Sequence, residues 1–416
     1  MTETTREVSD EGVDEERFAG QAKEWLAAHA KLKPEERTGF GEGTEEVFVI
    51  PERTLEQEMK DVEAAKVWAQ QVYDAGFGWI TGPTRYGGRA LPKTFQSIYS
   101  SVEARYATPS QGPRGIGLGM VAPTILAHAT EAAKERYLRA LYRGDIIACQ
   151  LFSEPGAGSD LASLQTRADL DGDEWVVNGQ KVWTSGAHYS EIGEILCRTN
   201  PDAPKHKGLT AFIVDMHAPG VEVRPLRQMT GGASFNEVFF TDVRIPADHL
   251  LGDVNAGWTV ALTTLMNERA AIGGGGGGTS SGSGELRRLI ALARHLGLTD
   301  RPLIRQEIAN TWINSQVARY NNDRALAKIR SGQLPGPELS IAKLSLTQNM
   351  RRNAELAGHI LGARMTADSG EWGTFVWSKY VLGVPGLRVA GGTDEVMRNI
   401  LGERVLGLPK EPPVGR

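Results

Sequence analysis

Two cysteines in 416 residues, Cys149 and Cys197, cannot build a disulfide framework, and their scarcity fits a reducing interior. Long apolar runs are missing too: none approaches the roughly 20 residues that a membrane-spanning helix needs. Positive charge is not in excess. The formal net charge is −5, so the basic footprint of a nucleic-acid binder is absent. The eight histidines are scattered, without metal-ligand spacing. There is no nucleophile elbow, Walker loop or dinucleotide fingerprint, and no internal repeat. The stretch from Met1 to Glu7 has no apolar core, which argues against a secretory leader. The expectation is a cytoplasmic protein with no membrane span and no nucleic-acid partner, long enough for two or three units around a large core.

What is present changes character along the chain. Acidic residues through Glu16 suggest a solvated arm over 1–16. From 17 to 146 the patterning is helical. Phe18, Ala22, Trp25 and Leu26 recur at helical spacing, as do Met59, Val62, Ala65 and Val72. Pro83 to Pro92 is a loop punctuated by glycine and proline. From 147 to 253 strands take over. Trp175 to Val177 and Gln180 to Trp183 flank Asn178-Gly179, which predicts a hairpin with a type I′ turn there. Leu209 to Met216, Val221 to Leu226 and Asn236 to Ile245 read as further strands. From 254 to 416 helices return, with Ile304, Ile308 and Trp312 on one stripe and Ala357, Ile360 and Leu361 on another. Helices, then strands, then helices predict an α+β chain with a central β-domain. Residues 273–284 hold only glycine, serine and threonine, the composition of a flexible linker.

Three segments are candidates for chemistry. Ser153 to Asp160 is a glycine loop whose free N–H groups and Ser159 suit phosphate oxygens, although such loops are more often plain turns. Trp183-Thr184-Ser185-Gly186 joins an aromatic face to two hydroxyls, a pattern also met in a core tryptophan followed by a turn. Glu268-Arg269 sits in a helical stretch, where such a pair is usually solvated.

Taken together and in order, these segments resemble the acyl-CoA dehydrogenase family over nearly the whole chain. Leu151 to Asp160 is similar to its first signature, and Asn178 to Gly186 to its flavin-contacting hairpin. Asn236 to Pro246 with Leu251-Gly252 is similar to the exit from its β-domain. Gly391 to Glu395, Arg398 to Ile400 and Glu403 to Gly407 are similar to its C-terminal signature. The resemblance implies a helical N-terminal domain, a central β-domain and a C-terminal four-helix bundle. It implies FAD as cofactor, an acyl-CoA substrate, electron-transfer flavoprotein as acceptor, and a homodimer or homotetramer.

The implied reaction removes two hydrogens from adjacent carbons of the thioester to give the trans-2-enoyl-CoA. The α-proton is weakly acidic, so a carboxylate must act as general base. Hydrogen bonds to the carbonyl must stabilise the developing enolate. Carried over by position, Gln150, Phe152, Ser153 and Ser159 line the flavin, Ser159 also near the CoA arm. Trp183, Thr184 and Ser185 flank its ring, and Thr393 and Glu395 meet its adenosine half. Arg269, Gly391 and Gly392 fall on the substrate side.

Three departures stand out. One branch of the family carries its base just before the signature glycine, where this chain has Gly391. Other branches place it on an earlier helix, where this chain has Glu268. The family's Arg-x-Phe-Gly flavin-phosphate motif is replaced by Arg294-His295-Leu296-Gly297, and the glutamine before its Gly-Gly contact by His359, ahead of Gly362-Ala363. A flavin monooxygenase or oxidase of the same fold is the runner-up, and Glu268 argues against it. A non-catalytic partner subunit is a third reading, which Gly391 permits.

Overall fold

The computed structural model describes residues 14–34, 39–50, 52–273, 283–330, 336 and 339–410. Helix α1 (Glu15–His29) begins beyond the side-chain cap of Asp14, with Glu15 and Glu16 in its electropositive first turn. Residues 1–13 of the acidic arm lie outside the described residues. Phe18, Ala22 and Leu26 of α1 are fully buried, and Phe18 meets Phe77 and Phe95 edge-on at 5.6 and 5.1 Å. Helix α2 (Leu55–Asp74) opens with a reciprocal capping box between Thr54 and Gln57. Helices α3 (Lys93–Glu103), α4 (Ala122–His128) and α5 (Glu131–Arg143) complete this helical region.

The strands are β1 (Ala148–Leu151), β2 (Arg167–Asp171), β3 (Glu174–Ser185), β4 (Ile192–Arg198), β5 (Leu209–Asp215), β6 (Val221–Leu226), β7 (Phe235–Pro246) and β8 (Leu250–Leu251). They form one mixed sheet in the order β6-β7-β3-β2-β4-β5-β8, with β1 parallel to β4. Strand β4 is buried along its whole length and alternates between two cores. Cys197 and Ile195 face Phe212, Val214, Val238 and Phe240 within the β-region. Ile192 and Leu196 face the other way, against Ile125, Leu138, Val260 and Ala261 of the flanking helices.

The hairpin expected at Asn178-Gly179 is not there. Strand β3 runs unbroken through both residues. The chain reverses earlier, at Gly172-Asp173, where Asp171 pairs with Glu174 and Gly172 takes φ +68°. Asn178 instead bridges β3 to β7: Asp242 N donates to its Oδ1 at 2.9 Å, and its Nδ2 donates to Asp242 Oδ1 at 3.0 Å. A register shift falls between Val177 and Gly179. Gly179 is needed for close approach, since a Cβ there would lie 2.5 Å from Thr166 Oγ1 and 2.7 Å from Thr166 Cα.

The C-terminal region is helical: α6 (Gly257–Gly273), α7 (Ser283–His295), α8 (Pro302–Arg330), α9 (Leu339–Leu361), α10 (Val376–Val389) and α11 (Asp394–Ile400). Its core joins Leu289 and Leu292 of α7 to Ile304, Ala357, Ile360, Leu361, Trp377 and Tyr380. The expected α8 stripe turns outward along its length: Ile304 is buried, whereas Trp312 is 54% exposed.

Candidate functional site

The glycine loop is rigid at its base and open at its tip. Strand β1 carries Gln150, and Phe152 and Ser153 follow it. The Phe152 carbonyl accepts from Lys181 Nζ at 3.0 Å, and the Ser153 carbonyl from Val182 N at 2.9 Å. The Glu154 carboxylate is buried. It accepts from Lys181 Nζ at 2.9 Å and from the backbone N–H groups of Gln165 and Thr166 at 2.6 and 2.8 Å. Burial alone would push this carboxyl up, but Lys181 and the two N–H groups outweigh it and hold the group below the usual carboxylate range. Beyond this anchor, ideal Cβ atoms on Gly156 and Gly158 would meet nothing within 4 Å, and Ser159 is exposed.

The same tie brings the Trp183 segment alongside. A second register shift against β7, between Lys181 and Thr184, re-aims the side chains. Trp183 takes φ +61° and stays 61% exposed, although it lies between buried Val182 and Thr184. A non-glycine residue in that conformation costs about 1–3 kcal/mol and clusters at functional sites. The Thr184 carbonyl accepts from Asn236 Nδ2 at 3.0 Å. That nitrogen is 3.1 Å from His188 Nδ1, and His188 Nε2 is 3.0 Å from Glu58 Oε2 on α2. Thr184 Oγ1 is buried without a hydrogen-bond partner among the described residues, and so is Asn236 Oδ1. An exposed aromatic face, a buried hydroxyl lacking a partner and an open glycine loop fit the ring and phosphates of a flavin. Asn236 and His188 were not singled out from sequence. Asn236 carried a signal, being polar at an inward position of the alternation Asn236, Val238, Phe240.

Glu268 is half-buried on α6, one turn beyond Thr264. Thr264 Oγ1 lies 2.6 Å from Glu194 Oε1 and 2.9 Å from Thr124 Oγ1 of α4. Glu194 is fully buried on β4 and pairs in register with Gln150 of β1. Burial pushes its carboxyl up to about 8, the Thr264 bond opposing this only in part. A continuous path of register and hydrogen bonds therefore joins Gln150 to the helix of Glu268. The sequence reading missed Glu194, whose signal is a lone charge inside the run Ile192 to Cys197. The Arg269 side chain and residues 274–282, which include most of the glycine run, lie outside the described residues.

The remaining candidates sit on the C-terminal helices, with partners inside that region. Arg294 is exposed in the last turn of α7. His359 Nδ1 lies 2.8 Å from Glu307 Oε2 of α8, and Gly362 takes φ +52° just past α9. Gly391 and Gly392 adopt φ +64° and +90°, Thr393 caps α11 through Val396 N at 3.1 Å, and exposed Glu395 meets Arg398. Buried Asp394, not singled out from sequence, pins this loop. It accepts from Thr347 at 2.7 Å, Gln348 at 2.8 Å and Arg388 at 2.9 Å, with Lys343 at 3.4 Å. Among the described residues no acidic, histidine or cysteine cluster could hold a metal, and no helix is long and apolar enough to cross a membrane.

Family models described as the N-terminal, middle and C-terminal domains of acyl-CoA dehydrogenase match residues 45–145, 149–243 and 255–406. The chain is 36% identical to the acyl-CoA dehydrogenase IpdE1 of Mycobacterium tuberculosis over 402 residues, 96% of this chain and 99% of that protein. Among solved structures it is similar to the Tcur3481-Tcur3483 steroid ACAD, with 25% identity and a TM-score of 0.71 over 95% of this chain and 97% of the other. It is also similar to a chain of the ChsE4-ChsE5 complex from Mycobacterium tuberculosis, with 27% identity and a TM-score of 0.70 over 98% and 100% of the two chains.

Proposed function

The chain belongs to the acyl-CoA dehydrogenase family, whose members are flavoproteins, and is an oxidoreductase acting on a CH–CH pair; from that premise we propose that it binds FAD and converts an acyl-CoA thioester to the trans-2-enoyl-CoA with Glu268 as general base. The observation that supports this reading is the path from Gln150 through Glu194 and Thr264, which ties the helix that carries Glu268 to the sheet at strand β1.

In this reading Ser153, Thr184 and Ser185 meet the polar edge of the flavin, Trp183 covers its ring, and the open loop through Ser159 takes phosphate oxygens. Bound FAD supplies the acceptor for the hydride that leaves the β-carbon. Glu268 takes the proton from the α-carbon. Gly391 offers no competing carboxylate, and Glu395, which meets Arg398 on α11, is assigned to the adenosine half. Arg294, His359, Gly362 and Thr393 complete the FAD site of a neighbouring subunit in a homodimer or homotetramer. Arg269, Gly391 and Gly392 border the thioester. The relative named a steroid ACAD supports a ring-bearing acyl group. The electron acceptor in this reading is electron-transfer flavoprotein, in the cytoplasm.

Anaerobic titration with a panel of straight-chain and steroid-derived acyl-CoA thioesters tests this. Bleaching of protein-bound flavin, with the enoyl-CoA recovered, is the expected result. Flavin that none of the thioesters bleaches, and that reoxidises rapidly in air after chemical reduction, would favour the oxidase reading. A protein that takes up no flavin would favour the non-catalytic subunit.

A further inference from the structure

Strand β4 holds five uncharged residues and one acid, Glu194, before it ends at Arg198, and that acid faces the helix that carries Glu268. Glu194 lies between Ile192 and Leu196 on the face that packs against α4, α5 and α6. Its neighbours across the sheet are Gln150 on β1 and Ile213 on β5. Oε1 meets Thr264 at 2.6 Å, and Oε2 has no partner among the described residues. An ionised carboxylate buried there without a cation would be costly, and an apolar side chain would pack at least as well.

The hydroxyl protons show which form the site takes. Thr124 Oγ1 is 2.9 Å from the Met120 carbonyl, Thr124 Oγ1 is 2.9 Å from Thr264 Oγ1, and Thr264 Oγ1 is 2.6 Å from Glu194 Oε1. Thr264 Oγ1 also lies 3.3 Å from the Val260 carbonyl, and the three shorter contacts share two hydroxyl protons. With Glu194 ionised, one contact lacks a proton. With Glu194 protonated there are three protons for three contacts, running from the carboxylic acid through both threonines to the carbonyl.

We propose that Glu194 enters the reaction as a buried carboxylic acid and a positioning residue, whose hydrogen-bonded chain through Thr264 fixes the turn of α6 that carries Glu268. This rests on the reading of Glu268 as the base. Thr264 and Glu268 are separated by one turn and share a face, so a shift at Thr264 moves Glu268 relative to the substrate. The rise of Glu194 to about 8 agrees with the proton arrangement. The titratable groups packed against this face are His128 on α4, 2.8 Å from Thr263, Tyr137 and Tyr142 on α5, both uncharged at neutral pH, and Glu268 one turn beyond Thr264 on α6. Burial lowers the proton affinity of His128, so at neutral pH it brings no cation to Glu194.

The test compares FAD-loaded wild type with Glu194→Met, Glu194→Gln and Thr264→Val. Flavin reduction by saturating acyl-CoA is followed anaerobically, together with flavin content and acyl-CoA affinity. Infrared spectra at pH 7 supply a readout independent of turnover. Expected are a protonated-carboxyl band that Glu194→Gln removes, and reduction slowed about tenfold or more in Glu194→Met and Thr264→Val at unchanged flavin content and affinity. Glu194→Gln, which keeps a neutral donor, should recover most of that loss. Absence of the band, or wild-type rates in Thr264→Val, overturns the proposal. If Glu194→Met does not fold, Thr264→Val and the spectrum still decide. Glu268→Gln separates the two claims: an active Glu268→Gln removes the base assignment, whereas an inactive one beside a normal Thr264→Val removes only the positioning role.

Discussion

Lys181 Nζ lies 2.9 Å from Glu154 Oε1, and neither side chain is open to solvent. This pair joins the base of the glycine loop to the strand that presents Trp183, so one interaction holds two parts of the candidate flavin site in register.

Glu154→Gln should therefore be costly. It leaves the Lys181 ammonium buried without a counter-charge, a change worth about 3–5 kcal/mol. Denaturant unfolding of the variant should show that loss together with reduced flavin retention. Glu154→Leu combined with Lys181→Met should recover much of the stability, because no charge is stranded. If the single variant is as stable as wild type, the pair does not anchor the loop.

Gly179→Ala separates a close-approach glycine from a turn glycine. Its Cβ would collide with Thr166, which cannot retreat because its backbone N–H is held by Glu154. The expected loss is about 1–3 kcal/mol of overpacking, on top of any backbone strain at φ +153°. Gly172→Ala, at the true hairpin turn with open space around it, should lose only the left-handed penalty of about 1–2 kcal/mol. Equal stability of wild type and Gly179→Ala would contradict the register described here.

The Glu194 carboxyl gives stability a defined pH dependence. Its proton affinity is raised in the folded chain, from an ordinary value of 4.5 to about 8. The folded state therefore binds the proton more tightly. The contribution is fully present below about 4.5 and is lost as pH rises to about 8, at about 1.4 kcal/mol per pH unit. Unfolding free energies of wild type and Glu194→Gln, measured from pH 5 to 8, should diverge in favour of the variant as pH rises. A pH-independent difference would show that the group is ionised throughout.

Most of the fold was legible because it rests on periodicity. The spacing of Phe18, Ala22 and Leu26 marks α1, and Val221 to Leu226 coincides with β6. The misplaced hairpin has a physical explanation. Gly172-Asp173 and Asn178-Gly179 are both glycine-containing pairs that suit a tight hairpin turn, and the Thr166 contact and the Asn178–Asp242 bridge hold the second one within the strand. Sequence order also drew attention to Trp183, Thr184 and Ser185 without showing that a bulge turns the tryptophan outward. Glu154, Lys181, Asn236, Asp394 and Glu194 escaped notice because their roles come from partners far along the chain. The 70 residues between Glu194 and Thr264 are one case.

The central claim is that Glu268 removes the α-proton, and single-turnover flavin reduction in Glu268→Gln tests it most directly. The amide keeps the shape of the side chain and removes its basicity. The variant should retain its flavin and bind acyl-CoA normally, while anaerobic flavin bleaching slows at least about a hundredfold. Bleaching at near the wild-type rate would contradict the account and would pass the role of base to another group or another subunit.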